Sequence, residues 1–332
     1  MVLRAAHYLA DFHQITELHF NCPLPDAESN RLFRDYLTKK RDIKLLWDLP
    51  DALGQAVFQA PDYQINLADG NIVCLGIPDI PNLTDFHLHT ELAFCSENMR
   101  VPEALQMAAL SGVKLLNFSE HSAQLFAPAA PYWQNQFVWA QRQEADNRFA
   151  AYEALIARDG NAACRFGLEL EHDAELYVVD QPSRYLNGFR LGAIHFLSPN
   201  LSYAEQKLDY LRRLDALLEH GVDILAHPFR VFRRNKLPIP QDLFEPVAEK
   251  LVRSHTAAEI NFHTNRPPAE FIQLVVKKGG KISFGSDSHN LYEVGFFKMH
   301  YDFCRSLDLA GRLDELLLSA ATDRPKAHDF SA

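Results

Sequence analysis

Apolar residues recur along the chain from residue 82 in two alternating patterns. Short apolar runs predict seven strands, at Leu83–His87, Lys114–Ser119, Cys164–Leu170, Phe189–His195, Val222–His227, Ala257–Phe262 and Lys281–Gly285. Between most of them, apolar positions recur about every 3.6 residues and predict helices at Val101–Leu110, Trp139–Ala157, Tyr203–Leu218, Gln241–Arg253 and Ala269–Lys278. Strands and helices that alternate in this way form parallel β-α units, and seven units favour a barrel over an open sheet.

The first 80 residues have a different pattern. The segment Asp26–Leu53 is charged and amphipathic and predicts a helix, whereas Tyr63–Leu75 predicts two short strands around a turn at Asp69-Gly70. We therefore expect a small N-terminal α+β extension of unknown role over residues 1–80, followed by the barrel over residues 81–325.

Composition places the chain among soluble globular proteins, with 332 residues, 47% hydrophobic and 23% charged. Its formal net charge of −10 disfavours broad binding to nucleic acid, although a local basic pocket for one phosphate stays possible. The five cysteines are scattered and form no C-x-x-C pair, which is typical of reduced thiols. No apolar run approaches the roughly 20 residues of a membrane helix. Residues 1–4 also lack the order of a secretory signal. We expect a cytoplasmic protein without a membrane partner, and an oligomer is possible.

Residues that can bind a metal ion follow nearly every predicted strand. They are His87 and His89, Glu120 and His121, Glu169 and Glu171, His195, His227, Asn261 and His263, and Asp287 and His289. In a β/α barrel the carboxyl ends of all strands converge on one mouth, so these distant residues would share a pocket. A single histidine after a strand is more often an ordinary polar residue than a ligand. The joint pattern predicts a metal centre.

The residue types in this pattern suit a particular chemistry. A carboxylate such as that of Glu169 can bridge two divalent cations, which lower the pKa of a bound water and supply hydroxide near neutral pH. Histidine together with carboxylate favours zinc, manganese or iron over calcium. Two or three such ions are therefore expected as cofactors.

Seven motifs together resemble the PHP (polymerase and histidinol phosphatase) family, with a similarity that runs from Asn82 to Gly295. They are Asp85-Phe-His-Leu-His-Thr, Ser119-Glu-His, Gly167-Leu-Glu-Leu-Glu, Gly192-Ala-Ile-His-Phe, Leu225-Ala-His-Pro, Glu259-Ile-Asn and Gly285-Ser-Asp-Ser-His. Their order is also that of the family. The resemblance implies an α/β fold, a distorted (β/α)₇ PHP barrel, with a phosphoesterase centre of two or three metal ions.

The resemblance also implies how the ligands are divided. A first ion would bind His87, His89, Glu169 and Asp287. A second ion would share Glu169 and bind His195 and His227. A third ion would bind His121, His289 and Cys95, where the family more often has histidine or aspartate.

Several residues of this region have more than one interpretation. Cys95 is either a thiolate ligand or an ordinary half-buried thiol, and Glu97 is a weaker substitute for it. Glu171 shares a strand face with Glu169, and either supports the ligands or lies at the surface. His172 and His263 match no ligand position of the family, and we expect both to support the ligands or face substrate.

Arginine side chains are the candidates for phosphate binding, because a guanidinium can bind phosphate through two hydrogen bonds. Arg230 and Arg266 follow the fifth and sixth strands, whereas Arg233, Arg234 and Lys236 have the pattern of a solvated loop. The candidate catalytic residues are Asp287, His289, Arg230 and Arg266.

The predicted function is hydrolysis of a phosphate ester by a metal-bound hydroxide. A small phosphomonoester, as in the histidinol phosphatases that the motifs resemble, is the preferred substrate. A nucleotide or oligonucleotide phosphodiester, cleaved by a phosphodiesterase or exonuclease, is the alternative, because the aromatic segment Pro131–Trp139 is either a lid, a base-stacking platform or buried packing. Two further alternatives are a non-catalytic metal-binding structural module and a hydrolase of carbon–nitrogen or carboxyl ester bonds.

Overall fold

The computed structural model describes residues 80–320 except 111, 142–147, 182 and 296, together with residues 323, 325 and 326 and five strands within the first 75 residues. The chain divides into two compact units. One comprises Met1–Asp79 with Phe296–Tyr301, and the other comprises Ile80–Gly295 with Asp302–Ala332.

The described part of residues 1–79 consists of two small sheets. A parallel pair joins β1 (Glu17–Phe20) to β2 (Lys44–Trp47). An antiparallel sheet contains β3 (Val57–Ala60), β4 (Tyr63–Ala68) and β5 (Asn71–Leu75), in that order.

Two predictions fall in this unit. Ala68 pairs with Asn71, so two residues connect β4 to β5, and the predicted strand pair around Asp69-Gly70 is confirmed. Lys44–Trp47, within the segment predicted to contain a helix, pairs with β1 as a strand, and the rest of Asp26–Leu53 lies outside the described residues.

The second unit contains seven parallel strands and one short antiparallel strand. They are β6 (Thr84–Leu88), β7 (Leu115–His121), β8 (Cys164–His172), β9 (Val178–Val179), β10 (Leu191–Gly192), β11 (Ile224–Leu225), β12 (Ala257–Asn261) and β13 (Ile282–Gly285). The parallel order is β13-β12-β11-β10-β8-β7-β6, and β9 pairs with β8. His89 N donates to Ser288 O (3.1 Å) and Asp287 N donates to His87 O (2.6 Å), which joins the last strand to the first. The predicted distorted seven-stranded barrel is confirmed.

Helices connect the strands of this unit. Those described are α1 (Val101–Leu110), α2 (Ala129–Trp133), α3 (Phe149–Asp159), α4 (Tyr203–Glu219), α5 (Arg230–Arg234), α6 (Phe244–Arg253), α7 (Ala269–Lys277), α8 (Lys298–Ser306) and α9 (Leu313–Leu316). No helix among the described residues has the length and apolar character needed to cross a membrane.

Local sequence explains where the long helix α4 begins. The Ser202 hydroxyl accepts a hydrogen bond from Glu205 N, and the Glu205 carboxylate accepts one from Ser202 N (2.8 Å). This capping box satisfies backbone donors that the first turn leaves free.

Apolar side chains fill the barrel close to the strands. Phe86 and Phe189 are 1% and 2% exposed and their rings meet edge to face at 5.0 Å, an arrangement that aromatic pairs prefer. Asn117 ties their strands together, since its amide donates to both carbonyls (3.1 Å each). These side chains form part of a packed core inside the barrel.

Two elements differ from the prediction. The helix predicted over Trp139–Ala157 is wrong at its start: Trp139–Gln141 form one 3₁₀ turn, and α3 begins at Phe149. Trp139 N donates to the Asp173 carboxylate (2.6 Å), so a tertiary contact overrides the helical periodicity there. The predicted strand Phe189–His195 is regular only at Leu191–Gly192, although Ala193 N still donates to Leu170 O (2.9 Å).

Candidate metal centre

The carboxyl ends of the barrel strands bring eight predicted ligands into one buried cluster. None of these side chains is more than 11% exposed. They are His87, His89, His121, Glu169, His195, His227, Asp287 and His289. Charged and polar groups cost free energy when they are buried without partners, and the histidines and carboxylates of this cluster lie close enough together to hold a metal ion.

Four of these side chains surround the first predicted ion position. Nε2 of His87 lies 3.4 Å from Glu169 Oε1 and 3.6 Å from Asp287 Oδ1. Nε2 of His89 lies 3.2 Å from Asp287 Oδ1 and 3.9 Å from Glu169 Oε2. Ligand atoms about 2.1 Å from a tetrahedral ion are roughly 3.4 Å from one another. The spacing fits a cation held between them.

Several ligand atoms in the cluster have no hydrogen-bond partner within the described part of the chain. They are His87 Nε2, His89 Nδ1, His121 Nδ1 and Glu169 Oε2. The His121 and Glu169 atoms are 2.8 Å apart, but not in hydrogen-bonding geometry. Buried polar atoms are nearly always paired, so these orphaned nitrogens and oxygen fit bound cations. Groups of histidine, aspartate and glutamate in this cluster can therefore hold metal ions.

Glu259, which sequence reasoning included only in a motif, orients His87. Its Oε1 atom is 2.7 Å from His87 Nδ1, and its Oε2 atom accepts from His227 N (2.5 Å). With Nδ1 bound to a carboxylate, the Nε2 lone pair of His87 is directed into the cluster. In the sequence, the Glu259-Ile-Asn motif was the only sign that Glu259 belongs to the site.

Glu171 has a corresponding role for His195. Its Oε1 atom is 2.6 Å from His195 Nδ1 and accepts from the Tyr132 hydroxyl (2.8 Å). Because Glu171 is 2% exposed, the alternative of a surface carboxylate is wrong. Its side chain lies on the same side of β8 as that of Glu169, since both contact His195.

A third carboxylate, that of Glu120, was noted at the end of the second predicted strand but was given no role at the site. It accepts from the backbone N (3.0 Å) and hydroxyl (2.5 Å) of Thr90 and lies 3.6 Å from His89 Nδ1. These contacts fix the loop that follows β6.

The third predicted ion position has three converging histidines. Ligand atoms of the predicted His121 and His289 lie within 4.8 Å of each other and of an atom of His89, a residue that was predicted at the first position. Cys95 Sγ is 3.6 Å from His121 Nε2, but no group of three such ligand atoms among the described residues includes it. The structure thus places Cys95 beside this position and leaves its ligation a prediction.

The two unmatched histidines lie in different environments. His263 stacks on His289 with ring centroids 4.7 Å apart, and its Nδ1 lies 3.4 Å from Glu293 Oε1. His172 is 4% exposed. Burial, together with the positive charge of Arg213, lowers its pKa to about 3, although the charge of Asp209 acts in the opposite direction. His172 alternates with Glu171 on β8, so its side chain points away from the cluster, and the expected role at the mouth is wrong.

Backbone strain accompanies two predicted ligands. His227 and Asp287 have φ angles of +32° and +53°, in the region that non-glycine residues rarely adopt. Such strain is common where a fold must direct a side chain into a site.

The predicted phosphate-binding arginines separate in the structure. Arg230 is buried in the cluster and its Nη1 donates to Asp287 Oδ2 (2.6 Å). Arg266 is exposed and does not line the cavity, and its backbone carbonyl accepts from Arg233 (2.8 Å). Arg234, which was expected in a solvated loop, is exposed and also lines the cavity.

Charge in the cluster is strongly coupled. Burial opposes ionisation of the Asp287 carboxyl, but His87 and Arg230 outweigh it and hold its pKa well below its usual range. Burial likewise opposes charge on His87, yet Glu259, Asp287 and Glu169 raise its pKa well above the usual value. Burial also lowers the pKa of His263, but Glu293 and Asp287 outweigh it and raise that pKa. The carboxylates therefore stay ionised and attract cations.

A cavity of about 260 Å³ opens above the cluster. Asp287, His289 and Arg230 lie on its wall, together with His263 and Arg234. Three aromatic side chains also line it: Tyr132, Trp133 and Phe196. The volume suits a small molecule that presents an anionic group to the cluster.

The aromatic segment Pro131–Trp139 is mainly buried packing. Tyr132 and Phe137 are 2% and 6% exposed, and Trp139 packs on Phe126 with ring centroids 4.5 Å apart. Trp133 differs, since it is 49% exposed and lines the cavity.

Comparison with known proteins gives distant similarities, and no family model matches the chain. A probable phosphatase of Shewanella sediminis is 27% identical over 225 residues, which cover 65% of this chain and 81% of that protein. A probable phosphatase of Shewanella pealeana is 25% identical over 255 residues, covering 73% and 93%. A solved structure from Listeria monocytogenes, assigned as a histidinol phosphatase, has a TM-score of 0.42 and 14% identity and covers 64% of this chain and 97% of that one.

Proposed function

We propose that this chain is a metal-dependent phosphatase that releases phosphate from a small phosphomonoester. The observation that carries the proposal is the set of orphaned ligand atoms where the strand ends converge, beneath a cavity of about 260 Å³. The similarity to proteins named probable phosphatases supports this reaction class.

The first ion position would be held by His87, His89, Glu169 and Asp287, whose ligand atoms have the spacing described above. The position beside His121 and His289 would hold another ion. When bound, divalent zinc, manganese or iron would polarise the phosphoryl oxygens and supply hydroxide near neutral pH. Glu259 fixes the ring of His87 through Nδ1, so little reorganisation is needed for an ion to bind at the first position.

Two arginines would attract the phosphate. Arg234 lines the cavity and forms no hydrogen bond or ion pair within the described residues, so its guanidinium is free to bind an anion. Arg230 lies deeper and is held by Asp287, and we propose that it acts through its positive charge. Positive charge fixed beforehand near the transferring phosphoryl group lowers the free energy of the transition state.

His263 would supply the proton that the leaving alkoxide needs. Among the histidines that line the cavity, His263 is the one outside the set of eight predicted ligands. Its Nδ1 atom is 3.4 Å from Glu293 Oε1. Glu293 would hold the imidazole in its protonated form, ready to donate from the ring. The proton would pass to the ester oxygen as the P–O bond breaks.

The alternatives differ in what they require. An oligonucleotide phosphodiesterase needs a cationic path for the strand, and the net charge of −10 with a cavity of this volume favours a small substrate. A structural module needs no complete ligand set, whereas eight predicted ligands converge here.

A substrate panel tests the proposal. Protein reloaded with zinc or manganese is assayed with alkyl phosphomonoesters, nucleoside monophosphates, a single-stranded oligonucleotide and a carboxyl ester. We expect phosphate release from one or more small phosphomonoesters and no chain cleavage. Faster cleavage of the oligonucleotide would favour the exonuclease, and turnover of the carboxyl ester alone would contradict phosphatase action.

A further inference from the structure

The second ion position implied by the family resemblance contains a different cation. Nε2 of His195 and of His227 lie 3.3 and 3.0 Å from Glu169 Oε1, a spacing that could surround an ion. The Nδ1 atom of His195 is bound to Glu171, so its Nε2 lone pair faces this position.

The guanidinium of Arg230 occupies the space between these two imidazoles. Its Nη2 atom is 3.1 Å from His195 Nε2 and 2.7 Å from His227 Nε2. Its Nη1 atom donates to Asp287 Oδ2 (2.6 Å) and lies 3.5 Å from the His263 carbonyl oxygen. Both terminal nitrogens thus have partners, and the side chain is only 6% exposed.

A metal ion and this guanidinium exclude each other at the position. An ion bound to both Nε2 atoms at about 2.1 Å would overlap Nη2, which lies within hydrogen-bond distance of the same two nitrogens. Two positive charges this close inside a buried site would also repel strongly. The residues present therefore do not fit a metal ion here while Arg230 keeps its place.

Local structure holds Arg230 in this place. It is the first residue of α5 and follows Phe229, which has a φ of +65° and is 1% exposed. The Phe229 ring packs against Tyr210 and Phe271, with centroids 5.3 and 5.0 Å away, and its N–H donates to the Tyr210 hydroxyl (3.4 Å). The turn that directs Arg230 inward is thus fixed by the core.

We propose that Arg230 is a built-in cation that takes the place of one metal ion at the His195–His227 position. The centre then binds metal only at the remaining positions, and the guanidinium is the third cation of the centre. This inference rests on the metal-binding part of the proposed function and not on phosphatase activity.

Metal content per chain tests the inference without an activity assay. Protein is stripped with a chelator, reloaded with excess zinc, desalted and analysed by mass spectrometry of the metal. We expect wild type and His195→Ala to bind the same number of zinc ions. Arg230→Met should bind one more ion, and Arg230→Met combined with His195→Ala should return to the wild-type number. Arg233→Met, on the same helix but exposed, is the matched control and should leave the number unchanged.

The opposite results overturn the inference. These are the loss of one ion in His195→Ala alone, or no gain in Arg230→Met. Circular dichroism checks that each variant is folded, and Arg230→Gln replaces Arg230→Met if the latter unfolds. If wild type binds no zinc, the proposed function fails. The inference is judged separately, by whether replacement of Arg230 adds one zinc ion per chain.

Discussion

At the scale of single residues, the centre depends on carboxylates that bind histidines and not metal. Glu259 and Glu171 each bind the Nδ1 atom of one histidine, at 2.7 and 2.6 Å, and so decide which nitrogen is offered to a cation. The sequence predicted the histidines because each follows a strand. It could not predict the pairing, since Glu259 and His87 are 172 positions apart and meet only when the barrel closes.

The role proposed for His263 predicts a dependence on the leaving group. For His263→Gln we expect kcat on an alkyl phosphate to fall about 100-fold, the usual effect of losing a general acid. On p-nitrophenyl phosphate, whose leaving group needs no proton, kcat should change far less. Steady-state rates on the two substrates give the comparison, and equal losses on both would contradict the role.

The centre is packed so closely around Gly285 that a larger residue there should disturb it. A Cβ atom there would overlap Glu259 Oε1 and lie 2.7 Å from the Cβ of His87. Gly285→Ala should therefore displace the carboxylate that orients His87 and weaken zinc binding about 10- to 100-fold, as lost support of a ligand does. Calorimetric titration with zinc measures this. Gly311→Ala, where a Cβ meets nothing within 4 Å, is the control, and unchanged affinity in Gly285→Ala would refute the packing argument.

At the scale of elements, the barrel strands were predictable because buried parallel strands leave apolar runs in the sequence. The bend before α5 could not be predicted, because it depends on positive φ angles at His227 and Phe229, and neither histidine nor phenylalanine favours such angles. For that reason the inward direction of Arg230 and the cavity position of Arg234 could not be predicted. The start of α3 was predicted too early because Trp139 is held by Asp173, which is distant in sequence.

Asp209, in helix α4, is expected to make a pH-dependent contribution to the stability of the fold. Asp209 is buried, accepts from Ser198 N (2.8 Å) and pairs with Arg213 (2.9 Å). Burial raises its pKa, but these hydrogen bonds outweigh burial and lower the pKa to about 2. A folded pKa below the unfolded value of 3.8 means that the carboxylate stabilises the fold above about pH 4, and that this contribution is lost as pH falls from 4 to 2.

Asp209→Asn should accordingly lower the free energy of unfolding by about 3 kcal/mol at pH 7, because Arg213 is left buried without its partner. Urea denaturation from pH 3 to pH 8 should show a constant difference from wild type above pH 5 and a shrinking one below pH 4. The half-buried ion pair between Asp215, on the same helix, and Lys250, on α6, is the control, and Asp215→Asn should cost less than about 1 kcal/mol. A difference independent of pH would show that the charge of Asp209 is unimportant.

At the scale of the whole molecule, the barrel makes one site from residues spread over about 200 positions. Asp85 illustrates this closure, since its carboxylate accepts from Ser286 N and Gly295 N (3.0 Å each) and joins the first strand to the chain after the last. The seven-stranded fold and the convergence of the strand ends followed from the sequence. The presence of Arg230 at the second ion position could not be predicted, because Arg230 belongs to a helix and not to a strand end.

The most direct test of the account measures phosphate release against bound metal. Wild type and His87→Ala are stripped with a chelator, and zinc or manganese is titrated back while turnover of a small phosphomonoester is followed. We predict that stripped wild type is inactive and regains activity in proportion to bound ion. His87→Ala should remain folded and should regain less than about one thousandth of that rate, since it loses a ligand of the first ion position. Full activity of the metal-free protein, or of His87→Ala, would contradict the account.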